Sequence, residues 1–189
     1  ITSVWLTPHV MSDMQRNTTA YLTERFEAFQ NYYKGPIRLH QAGEYMMDAQ
    51  FISKLPAEVL PLGKNHLLVE TSYMLPPVGM KEILASVKQN GYFPVIAHPE
   101  RYTYMDMDDY RRLYSTDGYR LQLNLMSLSG YYGPGARHAA ENILTEGMYS
   151  YVGSDLHHLE RYAPMLESMK LTSEQLDALS ILIANNEAI

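Results

Sequence analysis

Short apolar runs alternate with amphipathic stretches along the chain. Residues 1–6 read as a strand that stops at Thr7-Pro8, and residues 17–33 as a helix ended by Gly35-Pro36. A second strand is expected over 37–42 and a short helix over 48–55. Residues 67–70 are short and continuous in apolar side chains, the pattern of a buried strand. Strands follow over 93–97, 119–125 and 149–153. The helices between them cover 80–89, 106–114 and 136–146, the first closed by Asn90-Gly91 and the last by Gly147. A final helix starts near Thr172, where Thr172 and Gln175 fit a capping box. Strands separated by helices predict βαβ units and a parallel sheet.

The 189 residues contain no repeat, low-complexity tract or linker, so one domain over 1–189 is expected. The hydrophobic share, 46%, is that of an ordinary soluble domain. No apolar run is long enough for a bilayer, and no secretory leader is visible, so no membrane partner is expected. The chain opens on Ile1, inside a strand. Cysteine is absent, which excludes disulfides, fits the cytoplasm and removes thiolate catalysis. The formal charge is −6, with no basic stripe, so nucleic acid is not an expected partner.

Chemistry collects where the strands end. The first ends at Thr7-Pro8-His9, the second at Gly43-Glu44, the third at Leu68-Val69-Glu70. The fourth gives Ala97-His98-Pro99-Glu100-Arg101, the fifth Gln122-Leu123-Asn124, the sixth Gly153-Ser154-Asp155-Leu156-His157-His158. In parallel α/β barrels the C-terminal ends of the strands carry the active site. Imidazole and carboxylate together suit zinc, manganese or iron. Two such ions roughly 3.5–4 Å apart clamp a phosphate for in-line displacement. Each group also has an ordinary reading. His9 alone is a loop or capping residue, Glu44 an acid at a helix start beside Asp48, and Asp155 an N-cap. Glu70 is harder to place that way, because a carboxylate ending a buried apolar run needs a partner or a metal. His98 is similar. Structural roles are expected for His40, His66 and His138, while His158 adjoins the ligand pair.

Arginine binds phosphate oxygens in a fork. Arg101 and Arg161 fall on the rim that carries the ligands, and Arg137 is a weaker third candidate. Surface pairing of Arg101 with Asp106, or of Arg161 with Glu160, is the alternative. Tyr102, Tyr104, Tyr131 and Tyr132 are candidates to line a pocket or simply to pack. The glycine-rich run before residue 136 lacks the lysine of a P-loop and reads as a turn.

These strand-end motifs, with residues 125–133, resemble the PHP-domain (polymerase and histidinol phosphatase) tyrosine-protein phosphatases of bacterial capsule and exopolysaccharide loci. The likeness runs over nearly the whole chain. It implies a distorted (β/α)7 TIM-like barrel and up to three metal ions, usually manganese, with iron, zinc or magnesium as other divalent options. It implies hydrolysis of phosphotyrosine on a bacterial tyrosine kinase that tunes polysaccharide synthesis. His9, Glu44, Glu70, His98, Asp155 and His157 would be the metal ligands, and Arg101 and Arg161 would hold the phosphate. Asp155 or a nearby histidine would protonate the leaving phenolate. Asp13 falls near the family's substrate side but matches no ligand. The family's first strand, with Asp-x-His-x-His, has no match here. The expectation is therefore an N-terminally incomplete domain, without the first strand and helix, holding fewer metals. The competing expectations are action on a small phosphate monoester, or a degenerate metal-binding domain.

Overall fold

The first predicted strand stops before Pro8 as expected, and a second, unpredicted strand begins just after it. The computed structural model describes residues 1–189 and places strand β1 at Ser3–Leu6 and a separate strand β2 at His9–Val10. Proline has no N–H to give a ladder, so pairing breaks there and resumes one residue later. Helix α1 follows at Thr19–Tyr32, its N-terminus capped by Thr18 accepting from the Tyr21 amide. The strand expected over 37–42 is β3 at Arg38–Gln41, and an unpredicted short strand, β4 at Glu44–Met46, follows it. Gly43 lies between them. A side chain on it would meet the Tyr45 ring at 2.8 Å, and the Tyr45 hydroxyl accepts from the Leu60 amide. Only glycine fits that gap.

The expected helix over 48–55 is a single 3-10 turn, Ile52–Lys54. Asp48 explains the difference. Its carboxylate accepts from the amides of Ser12 and Gln50, an arrangement that turns the backbone instead of starting a helix. Strand β5 is His66–Glu70 and helix α2 is Met80–Gln89.

The contacts divide the chain into two units, Ile1–Ser72 with Pro76–Pro94, and Tyr73–Leu75 with Val95–Ile189. In the first, β1 pairs with β3 in parallel, and β2, β4 and β5 make a second parallel set. Residues 67–70 are all buried, the signature of a strand covered on both faces.

The second unit resumes at Val95, inside strand β6, Phe93–Ala97. A 3-10 turn at Pro99–Arg101 leads to helix α3, Met107–Arg111, opened by an Asp106–Asp109 capping box. A π-helical turn, Arg112–Thr116, occupies the end of the longer helix predicted here. Strand β7 is Arg120–Asn124, helix α4 is Pro134–Thr145 and strand β8 is Tyr151–Gly153. Strands β6, β7 and β8 pair in parallel, with Ile96 opposite Leu121 and Leu123 opposite Val152. Their core comprises Ile96, Leu121, Leu123, Ala140 and Ile143. Helix α5, Leu159–Ser168, lies in a stretch where the sequence pattern predicts nothing. It contains Pro164 and has no side-chain cap, so neither start nor stop signal marks it.

Helix α6, Ser173–Glu187, begins at the capping box of Thr172 and Gln175. Thr172 accepts from the Gln175 amide at 3.3 Å, and Gln175 accepts from the Thr172 amide at 3.0 Å. Thr172→Ala is expected to lower stability by about 1 kcal/mol, measured by urea unfolding with the slope unchanged.

Candidate functional site

Two groups of side chains concentrate the chemistry, one in each unit. The first is His9, Glu44 and Glu70. Registers set it. His9 lies opposite Glu44 across β2 and β4, and Met46 lies opposite Glu70 across β4 and β5. Asn17 donates to the His9 carbonyl at 2.7 Å and pins the start of β2. The His9 Nδ1 is 3.1 Å from Glu44 Oε2 and 2.8 Å from Glu70 Oε1. One ligand atom from each of the three lies within 4.8 Å of the others. Glu44 is 5% exposed and Glu70 2%, so two carboxylates are packed together with little water. Such a pair needs a cation. His9 and Glu44 therefore sit at the starts of short strands of their own, and only Glu70 closes a strand as expected. Glu44 is a strand residue and not the acid of a helix start.

The imidazole supplies that cation here. Hydrogen bonds to Glu44, then to Glu70, raise the His9 pKa from 6.5 to about 10, against the lowering effect of burial. The proton is thus bound more tightly in the folded state. Its contribution to stability is complete below about pH 6.5 and is lost as pH rises through about 10. Metal-free protein is expected to melt at falling temperatures across that window, and His9→Gln to flatten the trend. Parallel melting curves for the two proteins in chelator would contradict this. One imidazole and two carboxylates match the donor set of a first-row divalent metal, which would take the place of the His9 proton. The residues present fit such an ion.

The second group surrounds Arg101. His98 continues the ladder past β6, its amide donating to the Gln122 carbonyl at 2.9 Å, and the chain then turns sharply. Two non-glycine residues have positive φ, His98 at 33° and Asp155 at 48°. Both are chemical candidates, and a left-handed backbone at such residues costs on the order of 1–2 kcal/mol. Arg101 donates to Asp155 Oδ2 at 2.9 Å and to the Tyr73 hydroxyl at 2.6 Å. Its guanidinium lies 4.2 Å from the Tyr73 ring centre and 4.0 Å from that of Tyr132. Two aromatic faces thus hold one planar cation, an arrangement that favours Arg over Lys.

Asp155 Oδ2 also accepts from the Asn124 amide group at 2.8 Å and from the Tyr132 hydroxyl at 3.3 Å. Asp155 Oδ1 faces His157 Nδ1 at 3.3 Å. His98 is 3% exposed and packs edge-on to Tyr73 and Tyr102, whereas His157 is exposed. Arg101 thus pairs with Asp155 and not with Asp106. Arg161 is exposed in the first turn of α5, with no ion pair to Glu160.

The remaining candidates have quieter surroundings. His40 stacks on Trp5, His66 packs against Phe93, and His138 contacts Asn142. Arg137 pairs with Glu141 at 2.8 Å. Tyr102 is buried, donates to the Ala97 carbonyl and stacks on Tyr104. Sequence reasoning missed Tyr73, although it follows Glu70 by only three residues. It also missed the role of Glu100, which is 3% exposed. Burial raises the Glu100 pKa, offset in part by the Ser127 hydrogen bond, the His98 charge and Tyr149. Burial, then the negative charge of Asp155, likewise raises the Tyr132 hydroxyl.

Residues 1–189 match the model of a family described as capsular polysaccharide synthesis, CpsB/CapC. The chain belongs to the CpsB/CapC family. Among solved structures it is similar to one described as "Crystal structures of YwqE from Bacillus subtilis and CpsB from Streptococcus pneumoniae, unique metal-dependent tyrosine phosphatases". The superposition has a TM-score of 0.73 at 20% identity and covers 98% of this chain and 81% of that one. At that identity the likeness establishes a shared α/β fold. No curated protein matches the chain. No helix of this CpsB/CapC member is long and apolar enough to cross a membrane.

Proposed function

We propose that this CpsB/CapC member is a divalent-metal-dependent protein-tyrosine phosphatase of capsule synthesis, acting in the cytoplasm on phosphotyrosine of a bacterial tyrosine kinase. The observation that carries the reading is the buried His9–Glu44–Glu70 group, two carboxylates and an imidazole within 4.8 Å of one another. The solved protein of similar fold is described as a metal-dependent tyrosine phosphatase. The alternation of parallel strands and helices is read as part of a distorted (β/α)7 barrel.

His9, Glu44 and Glu70 would hold a divalent ion, with manganese the first choice, and within the second unit His98, Asp155 and His157 would be the further candidate ligands. A metal so held supplies Lewis-acid activation of water and of phosphate oxygens. Arg101 binds the phosphate and stabilises the charge that grows on its oxygens as the P–O(aryl) bond breaks. Tyr73 and Tyr132 hold the planar guanidinium in place, so its ordering is complete before substrate arrives. Arg161, exposed on α5, gives a second contact to the phosphate. The proton for the departing phenolate would come from Asp155 or His157 only where that residue is not itself bound to metal, since a ligating carboxylate or imidazole has none to give.

The test is phosphate release from a phosphotyrosine peptide by metal-free and manganese-reloaded protein. Activity that appears only on reloading supports the reading. Undiminished activity in excess chelator contradicts it.

A further inference from the structure

Glu100 is buried, charged in type and outside the chemistry assigned above. It is also unusually well held for a side chain with no such role. Its Oε1 accepts from the Asn124 amide at 3.0 Å and from the Ser127 hydroxyl at 2.7 Å. Its Oε2 accepts from the Tyr149 hydroxyl at 2.9 Å. A carboxyl group in such surroundings is costly to bury unless its hydrogen bonds are all made.

The position of these partners is informative. Glu100 lies in the 3-10 turn Pro99–Arg101, next to Arg101. Asn124 ends β7 and accepts from the Met126 amide at 3.0 Å, so its side chain is fixed at both ends. Arg101 and Asn124 donate to the same atom, Asp155 Oδ2, at 2.9 and 2.8 Å. Glu100 therefore ties together the two backbone segments that carry these donors. Packing alone would be met by a leucine of similar volume, which makes none of these bonds.

We propose that Glu100 is a positioning residue for the phosphate-handling group. It locks the Arg101 turn to the end of β7, so that Arg101 and Asn124 converge on one oxygen of Asp155 and leave Asp155 Oδ1 turned away from both. It touches neither substrate nor metal and acts through Asn124 and the turn. The catalytic half of this inference rests on the phosphatase reading; the structural half does not.

Glu100→Gln keeps an acceptor for Asn124 and Ser127 and offers Tyr149 a donor. Glu100→Leu keeps the volume and removes all three bonds. Two measurements separate the roles. The first is hydrogen exchange of the Arg101 guanidinium, followed by NMR in metal-free protein. Glu100→Leu is expected to speed that exchange on the order of tenfold, and Glu100→Gln to restore it to near the native rate. The second is kcat on a phosphotyrosine peptide in manganese. Displacement of the donors is expected to lower it on the order of 10- to 100-fold in Glu100→Leu, with Glu100→Gln recovering most of the loss. Asn124→Ala combined with Glu100→Leu is expected to cost little more than either alone.

Native guanidinium exchange in a folded Glu100→Leu protein would overturn the proposal. So would fully additive losses in the double variant. Where Glu100→Leu does not fold, Ser127→Ala removes one of the three bonds and leaves Asn124 and Arg101 intact; native exchange there overturns the proposal equally. If no variant or native protein hydrolyses the peptide, the phosphatase reading fails, and the exchange measurement still decides on Glu100.

Discussion

Glu70→Ala is expected to remove metal from the His9–Glu44–Glu70 group and to reduce peptide dephosphorylation by more than the 10- to 100-fold typical of a residue that only supports a ligand. The argument is one of donors and burial. Glu70 is 2% exposed, and its carboxylate is within hydrogen-bonding distance of His9 Nδ1. Without it, that group keeps one imidazole and one carboxylate, too few to outcompete water for a divalent ion there. Glu70→Gln keeps the shape and removes the charge, so it is expected to lose metal too. Calorimetric titration with manganese and elemental analysis of the purified variants measure this directly. Native stoichiometry and affinity in Glu70→Gln would show that the metal is held elsewhere.

Arg101→Ala is expected to lower kcat on a phosphotyrosine peptide on the order of 10²–10³-fold, the scale seen when one donor to a developing oxyanion is deleted. Arg101→Lys is expected to recover little of it. The side chain binds through a planar fork between two rings, about 4 Å from each centre, and also reaches Asp155 and Tyr73. A lysine ammonium offers a point charge and cannot fill the slot as a plate does. Metal content should stay native in both variants, which separates this effect from that of Glu70. A lysine variant with near-native kcat would reduce Arg101 to a general positive charge.

Much of this was legible in the residue pattern, for identifiable reasons. Continuous apolar runs such as Leu67–Val69 and Val95–Ala97 belong to strands buried on both faces, and they stand out in any window. Helices α2 and α4 have clear apolar faces and glycine after their ends. His9, Glu44 and Glu70 are each legible as candidate groups, but only Glu70 ends an apolar run as expected; His9 and Glu44 open short strands, and the registers of β2, β4 and β5 bring the three together. Strands β2 and β4 are not legible, because a two- or three-residue strand has no periodicity to read. Helix α5 escaped because Pro164 sits inside it and no cap announces it. Tyr73 and Glu100 escaped for a different reason. Their importance lies in partners 28 and 24 positions away, Arg101 and Asn124, and spacing along the chain carries no trace of such contacts.

The left-handed backbone at His98 and Asp155 bears on how this protein would respond to directed evolution. Glycine at either position relieves the steric conflict of a Cβ at positive φ. A library screened for heat resistance alone would therefore be drawn toward glycine at these two codons, and would erase an imidazole and a carboxylate as it did so. A parallel screen for turnover would reject the same clones. The two positions are places where robustness and chemistry compete for one residue, and the pair of screens would map that conflict without knowledge of the reaction.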